Sequence, residues 1–578
     1  MDIRTLFDEG QVIMLSTSHI PEFGMVNQAV LTRAREAQST DGRLSCVFSE
    51  LGFSSEEQLL HAVAQKMGYE FMELAALKFD RNILKEFPLK LIHRYNVYPL
   101  RRFENTLYLA TSNPFDLHAA DAVGAATGLS VMPVIMLPDE LAMLIKAQLG
   151  VGAETIDDLM AQADDQEGGV HVLGESDSDG SDSDDPSQEA SVVRLVNEIL
   201  LEAIESHASD IHLESQNGGI RIRYRIDGVL HTQPTPPEIN RFHAAIISRL
   251  KIMARLNIAE KRVPQDGRIK LKTAGREVDV RVSIIPMLYG EGIVMRILDK
   301  DRMNFSLRGI GMDPDIYARF QHLISLPHGV VLVTGPTGSG KTTTLYSALN
   351  EIKSDDTKII TTEDPIEYHL DGINQIQVQP KVGLTFAASL RSILRHDPDV
   401  ILIGEIRDLE TAENAVQAAL TGHLVFSTLH TNDAAGAFLR MVDMGVEPFL
   451  ISSCVEGVLA QRLVRTLCRE CREQFIPTAE EVPADFPLEE CIKGGRGLYR
   501  PVGCRQCRGT GYRGRAGIYE LLETNDEVRR LAAERAPTHI VAKAAMDAGM
   551  QTLRQNGWRK VRQGVTTIDE VLRVTKAD

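Results

Sequence analysis

Val330-Val331-Leu332-Val333-Thr334-Gly335-Pro336-Thr337-Gly338-Ser339-Gly340-Lys341-Thr342-Thr343 is the stretch whose reading decides the fold of this chain. Its first five residues form a short, mostly β-branched apolar run, which reads as a buried strand. The next eight satisfy the Gly-x-x-x-x-Gly-Lys-Ser/Thr pattern, and 344–352 continues with helical spacing. The glycines let backbone N–H groups close around phosphate oxygens with no Cβ in the way. A helix start adds a favourable dipole for the anion. Lys341 brings a point charge to the β- and γ-phosphates, and Thr342 offers a hydroxyl to Mg²⁺. Strand, loop and helix together predict an ATP site at the edge of a parallel α/β sheet.

Hydrolysis needs further groups, and neighbouring strands offer them. Val400-Ile401-Leu402-Ile403 runs into Gly404-Glu405-Ile406-Arg407-Asp408. A carboxylate at the C-terminal end of a strand beside the phosphate loop suits the Mg²⁺ sphere, which makes Glu405 a candidate ligand. Lys358-Ile359-Ile360-Thr361-Thr362 leads into Glu363-Asp364-Pro365-Ile366-Glu367, where Glu363 is placed to orient or deprotonate the attacking water. Phe426-Ser427-Thr428-Leu429-His430-Thr431-Asn432 also ends an apolar strand in polar groups, and His430 could sense the γ-phosphate or serve as a hydrogen-bonded structural residue. Between about 307 and 466 such runs alternate with helices, the pattern of a parallel sheet with crossover helices.

At 578 residues the chain exceeds a single core. Apolar content of 43% and charged content of 25% are those of a globular protein. The net charge of −18 is uneven: residues 151–190 hold thirteen Asp and Glu and no Lys or Arg, which leaves −5 for the rest. That segment, with Glu175-Ser176-Asp177-Ser178-Asp179 at its centre, repels itself and buries little, so it reads as an extended linker. Without a basic face, general nucleic-acid binding gains no support from the charge balance. No apolar run approaches the roughly 20 residues of a membrane span, and Met1-Asp2-Ile3-Arg4 starts no secretory signal. A cytoplasmic location is expected.

Before the linker, 1–150 reads as a small α/β docking or regulatory domain, with a helix over 55–66 and a strand over 106–110. After it come a helix over 191–206 and the alternating strand 220–228, whose arginines are expected to be solvated on the open face. There is no internal repeat. Of seven cysteines, four form Cys468-Arg469-Glu470-Cys471 and Cys504-Arg505-Gln506-Cys507, separated by 32 residues. Two such knuckles suit one tetrahedral Zn²⁺ with no open position, hence a structural site; a redox role is the rival.

The stations 335–342, 361–367, 397–408 and 427–432, in this order, resemble the secretion ATPase superfamily, specifically the type II secretion and type IV pilus-assembly ATPases. They are similar to its Walker A, aspartate box, atypical Walker B and histidine box, and the likeness runs from about 190 to 575. It implies four further residues. Arg281 and Arg296 match arginines of the family's second N-terminal domain, and Arg391 and Arg395 match a pair on its catalytic domain. In such motors these neutralise γ-phosphate charge and couple nucleotide state to domain closure. The resemblance also implies a homohexamer, a zinc subdomain, an inner-membrane platform protein as partner, and a cytoplasmic adaptor that docks the N-terminal domain. Residues 42–53 and 57–65 resemble one copy of an N-terminal repeat that in some relatives binds cyclic di-GMP as a tandem pair; 1–40 show no first copy, which argues against that ligand.

The expected architecture is thus a RecA-like P-loop core (306–466) preceded by a mixed α/β, PAS-like domain (191–305). An N-terminal domain (1–150), acidic linker (151–190), tetracysteine zinc subdomain (467–515) and C-terminal helical subdomain (516–578) complete it. The expected function is ATP-driven assembly of a pseudopilus or type IV pilus. A DNA-uptake or conjugation-type ATPase, a nucleic-acid translocase and a non-hydrolysing adaptor are the alternatives.

Overall fold

The computed structural model describes residues 28–41, 47–74, 83–150, 152–153, 155–156, 186–273, 276–299, 305–493 and 497–576. The acidic stretch 175–185 and the segment 42–44 lie outside them. The chain divides into two compact units, 1–195 with 234–239, and 196–233 with 240–578.

In the first unit, strands β1 (Glu70–Phe71), β2 (Val97–Phe103), β3 (Thr106–Thr111) and β4 (Ser130–Ile135) form one sheet in the order β1-β4-β3-β2. β4 runs parallel to β1 and β3, and β2 antiparallel to β3. The helix expected over 55–66 is Glu56–Met67. Ser55 caps it by accepting from the Gln58 N–H, and Gly68 closes it at φ 76°, which a Cβ would strain. Its buried Leu59, Leu60, Val63 and Ala64 pack with Ala34, Ala37 and Ile135.

The second unit contains two sheets. The first is antiparallel throughout: β5 (Ala208–Gln216), β6 (Gly219–Ile226), β7 (Val229–Thr232), β8 (Gln265–Thr273), β9 (Arg276–Met287) and β10 (Gly290–Asp299), in the order β7-β6-β5-β10-β9-β8. In β6, Ile220, Ile222 and Tyr224 point into the core, as the alternation predicts. The arginines between them are not simply solvated. Arg223 pairs with Glu214 and Arg225 lies 3.7 Å from Asp210, both acids on adjacent β5. Cross-strand charge pairing explains why β6 carries arginine in a row.

The main sheet comprises β11 (Gly329–Thr334), β12 (Ile359–Glu363), β13 (Asn374–Gln377), β14 (Val400–Ile403), β15 (Leu424–Leu429), β16 (Val455–Leu467) and β19 (Tyr512–Glu523). A small ribbon, β17 (Glu473–Phe475) with β18 (Leu498–Arg500), stands apart from it. The main order is β13-β12-β14-β15-β11-β16-β19, parallel except for the last pair. The core sheet therefore extends beyond the expected limit at 466. The strand 512–523 pairs along most of β16, from Gly457 opposite Glu523 to Leu467 opposite Tyr512, and the cysteine segment is an insertion between these two strands.

Strand residues alternate between two apolar layers. Val330, Leu332, Ile401 and Ile403 face the helix Leu409–Leu420 through Ala412, Ala415, Val416 and Ala419. Val331, Val333 and Leu402 face the helices Pro314–Ile324 and Lys341–Ile352 through Phe320, Leu345 and Leu349. A sheet covered on both faces needs apolar residues at every position, which is why its strands read as continuous runs. Among the described residues no helix is long and apolar enough to cross a membrane.

Candidate nucleotide site

The parallel strands β11, β12, β14 and β15 end at one edge of the sheet, and the loops following them carry the candidate residues. A cavity of about 1000 Å³ opens there, within the upper size range of small-ligand sites. Pro336 to Thr343, Glu363, Glu405, His430 and Arg296 all line it.

Thr334 braces the loop's entry, accepting from the Thr431 N–H at 2.9 Å and donating to the Leu429 carbonyl at 3.1 Å. β11 and β15 are thereby tied where both turn into functional loops. Gly335 (φ 147°) and Gly340 (φ 88°) occupy backbone conformations that side chains resist. A Cβ on Gly335 would stand 2.6 Å from the Gln461 carbonyl oxygen and 2.7 Å from Ser339 Oγ. Gly335→Ala is therefore expected to lower both the unfolding temperature and ATP affinity, the latter by about 5- to 150-fold for strain of 1–3 kcal/mol. Nucleotide titration by calorimetry measures it.

The Lys341 ammonium donates to the carbonyls of Gly335 at 2.8 Å and Pro336 at 3.1 Å, so the lysine folds back over its own loop. Burial pulls its pKa down to about 8, against the opposing pull of the Glu405 carboxylate. An arriving polyphosphate would raise it again by supplying the anionic partner.

Glu405 accepts from Arg407 at 2.7 Å and lies 3.2 Å from His430 Nε2. Its charge raises the Arg407 pKa, chiefly through their hydrogen bond. Hydroxyl and carboxylate oxygens, from Thr342 and Glu405, are the donor set of a hard divalent cation.

Glu363 is 4% exposed and is held by three donors. Thr361 Oγ1 and Gln375 Nε2 donate to Oε1, at 2.5 and 3.1 Å, and the Tyr346 hydroxyl donates to Oε2. Such a carboxylate is fixed in direction, as an acid that must aim at one water needs to be.

The four arginines divide. Arg296 lines the cavity and pairs with Asp210 at 3.0 Å. Arg281 lies outside the lining but reaches the core, donating to the Ile366 carbonyl at 3.1 Å and pairing with Glu367 at 2.8 Å. Arg391 and Arg395 do not line the cavity within this chain. Arg391 pairs with Glu410, while Arg395 donates to the Arg391 carbonyl at 2.8 Å.

Two residues of the site escape motif reading. Gln461 donates to the Ser339 carbonyl at 2.7 Å and accepts from Thr344 at 2.8 Å, bridging β16 to both ends of the phosphate loop. Arg462, buried and lining the cavity, donates to the Gln461 and Asn432 carbonyls. Burial lowers its pKa, opposed by Glu520 and Asp433. Their one signal in the sequence is a polar pair set between the apolar runs Val458–Ala460 and Leu463–Val464.

The sulfurs of Cys468, Cys471, Cys504 and Cys507 all lie within 4.8 Å of one another. The pairs 468/504, 471/507 and 504/507 are each 3.8 Å apart. A tetrahedron of Zn–S bonds of about 2.3 Å has an edge of about 3.8 Å, so the set fits zinc. N–H groups of Cys504 and Gly511 point at Cys507 Sγ, at 3.1 and 3.2 Å, as a bound thiolate requires.

Known proteins match this arrangement over its length. A family model described as type II/IV secretion system protein matches residues 185–573, and one described as the MshEN domain matches 67–149. The N-terminal match thus falls on the four-stranded unit, beginning just after the segment 42–65 in which the sequence suggests a repeat. The chain is 44% identical over 558 residues to a type II secretion system protein E of Xanthomonas campestris pv. campestris, covering 94% of this chain and 95% of that one. It is 40% identical to the type IV pilus assembly ATPase PilB of Myxococcus xanthus, covering 96% and 97%. It is 49% identical to the type II secretion system ATPase E of Vibrio cholerae over 73% of this chain and 82% of that one. With a phosphate loop, two strand-end carboxylates and a four-sulfur cluster in one α/β unit, the chain belongs to the type II/IV secretion system protein family and is one of its ATPases.

Proposed function

We propose that this ATPase is a cytoplasmic, hexameric motor that drives assembly of a pseudopilus or type IV pilus through an inner-membrane platform protein. The observation that carries the reading is the convergence of Lys341, Thr342, Glu363 and Glu405 on one cavity whose wall includes Arg296 of the preceding domain. Lys341 and the loop N–H groups receive the β- and γ-phosphates. Glu363 orients the water for in-line attack and takes its proton. Thr342 and Glu405 would hold Mg²⁺, which when bound neutralises charge on the β- and γ-phosphate oxygens. Arg296 adds positive charge from the neighbouring domain, and Arg281 follows the movement of that domain against 366–367. His430, beside Glu405, is the candidate reporter of γ-phosphate.

Arg391 and Arg395 lie outside this chain's cavity, and a role for them in trans is what makes a ring the functional unit. The zinc cluster has four protein ligands and is structural. The N-terminal unit is the docking module for an adaptor.

Mixing tests the ring. Lys341→Ala and Arg391→Ala chains should each be nearly inactive, and their mixture should hydrolyse ATP well above the sum of the two. A mixture no more active than its parts would refute action across subunits. Hydrolysis stimulated by single-stranded DNA, instead of by a platform-protein cytoplasmic domain, would replace the pilus reading with a nucleic-acid translocase.

A further inference from the structure

Tyr346 has no place in the phosphate-loop pattern, yet it stands at a junction of three elements. It lies on the helix Lys341–Ile352, and its side chain is almost fully buried. Its hydroxyl donates to Glu363 Oε2, and the backbone of Tyr368 and Glu367 lies close enough to that hydroxyl to pull the tyrosine's pKa down against the larger upward causes. Burial drives its pKa upward, with the Glu363 charge adding to the effect, so it remains a protonated donor across the working pH range.

Both inputs to this tyrosine come from the preceding domain or its connection to the core. Through the loop 366–368, Glu367 is ion-paired to Arg281 of β9, whose guanidinium also holds the Ile366 carbonyl. Through its ring, Tyr346 packs edge-on against Phe305, with centroids 5.4 Å apart at 66°. Phe305 follows the end of β10 by six residues and also packs on Tyr368, at 5.8 Å and 65°. Its carbonyl accepts from Asn350, one turn further along the Tyr346 helix, at 3.2 Å.

We propose that Tyr346 is a positioning residue for Glu363, held in place through Glu367 and Phe305, so that the acid is aligned for turnover only when the preceding domain is seated on the core. This rests on the reading of Glu363 as the water-activating acid. The device differs from charge supplied by arginines, because it acts on the acid and not on the phosphate. A chain of packed groups is a physical link only if both ends bias one element, and here that element is the carboxylate's direction.

Tyr346→Phe in the full-length protein removes the hydroxyl and keeps the ring. Expected are a fall in kcat of about tenfold, the scale of a hydrogen bond to a charged group, and little change in KM for ATP. The hydroxyl holds the carboxylate in direction and touches no part of the nucleotide pocket's phosphate loop, so its loss should fall on kcat and spare KM. A purely structural role would lower the unfolding temperature and leave kcat, measured well below that temperature, unchanged. Phe305→Leu should also lower kcat, and adding it to Tyr346→Phe should cost less than it does alone, since the two share one route. Wild-type kcat in Tyr346→Phe, or independent effects in the double variant, would overturn the proposal. Glu363→Gln separates the two levels: if that variant turned over normally, the acid assignment itself fails, whereas an inactive Glu363→Gln beside a normal Tyr346→Phe sinks only the positioning role.

Discussion

Glu363→Gln is expected to lower ATP turnover by about 10²–10⁴-fold, the contribution of a placed general base, while ATP binding is retained. The amide keeps the size of the side chain and one acceptor oxygen. It cannot take a proton, and its NH₂ replaces one oxygen, so it faces either Tyr346 or the pair Thr361 and Gln375, all of which are donors to the carboxylate. One of these must reorient, so the variant should also be slightly less stable. Lys341→Ala makes the contrast. It removes the cation that meets the phosphates, so it should lose affinity as well as turnover. Phosphate release measured beside nucleotide titration distinguishes the two patterns. Equal loss of binding in both variants would mean that Glu363 supports the loop and does not act on water.

Stripping the metal should have the second large effect, and the fold says where it will be seen. The cysteine segment is inserted between β16 and β19, which remain paired with each other along the core sheet. Structural zinc sites contribute about 10–16 kcal/mol of binding free energy to folding. That is ample for a small insertion and is not needed by the sheet. The expected outcome is local unfolding of 468–511 with the nucleotide core intact. Trp558, the single tryptophan, reports on it. Its ring packs edge-on against Phe486 at 5.4 Å, and its Nε1 donates to Asp485 at 2.9 Å; both partners belong to the insertion. Arg554 also pairs with Asp485 and holds that carboxyl down at about 2. Chelation or Cys468→Ser should therefore release one zinc per chain and shift Trp558 emission to the red, with ATP affinity largely preserved. Unchanged emission after complete metal loss would show that the insertion holds together by its apolar contacts alone.

The arginines show where a static chain and a working ring part company. Arg281 and Arg391 each have an acidic partner in this chain, Glu367 and Glu410. Any role at a γ-phosphate requires those pairs to open, and exposed pairs of this kind cost little to break, about 0–1 kcal/mol. Arg391, half exposed, fits that description better than the more enclosed Arg281. Movement of Arg281 is therefore coupled more tightly to its loop, in keeping with a residue that carries domain position toward Glu363.

Much of the site was legible in the chain because its parts are local. A strand, eight loop residues and a helix start are contiguous, so Gly335 to Thr343 could be read without knowing what lies beside them. Glu363, Glu405 and His430 were legible for a related reason: each ends an apolar run, and in a parallel sheet such ends share one edge. The two cysteine pairs were legible as one cluster by ligand type and spacing, and the structure brings their four sulfurs together. Tertiary structure decided what depends on strand order and on contacts between distant residues. That β19 completes the core sheet follows from its pairing with β16, across an insertion no local pattern could see past. Gln461, Arg462 and Tyr346 became site residues only when β16 and the loop 366–368 were placed against the phosphate loop. Local chemistry is written in short-range order, whereas alignment of that chemistry is set by long-range packing, which sequence periodicity does not encode.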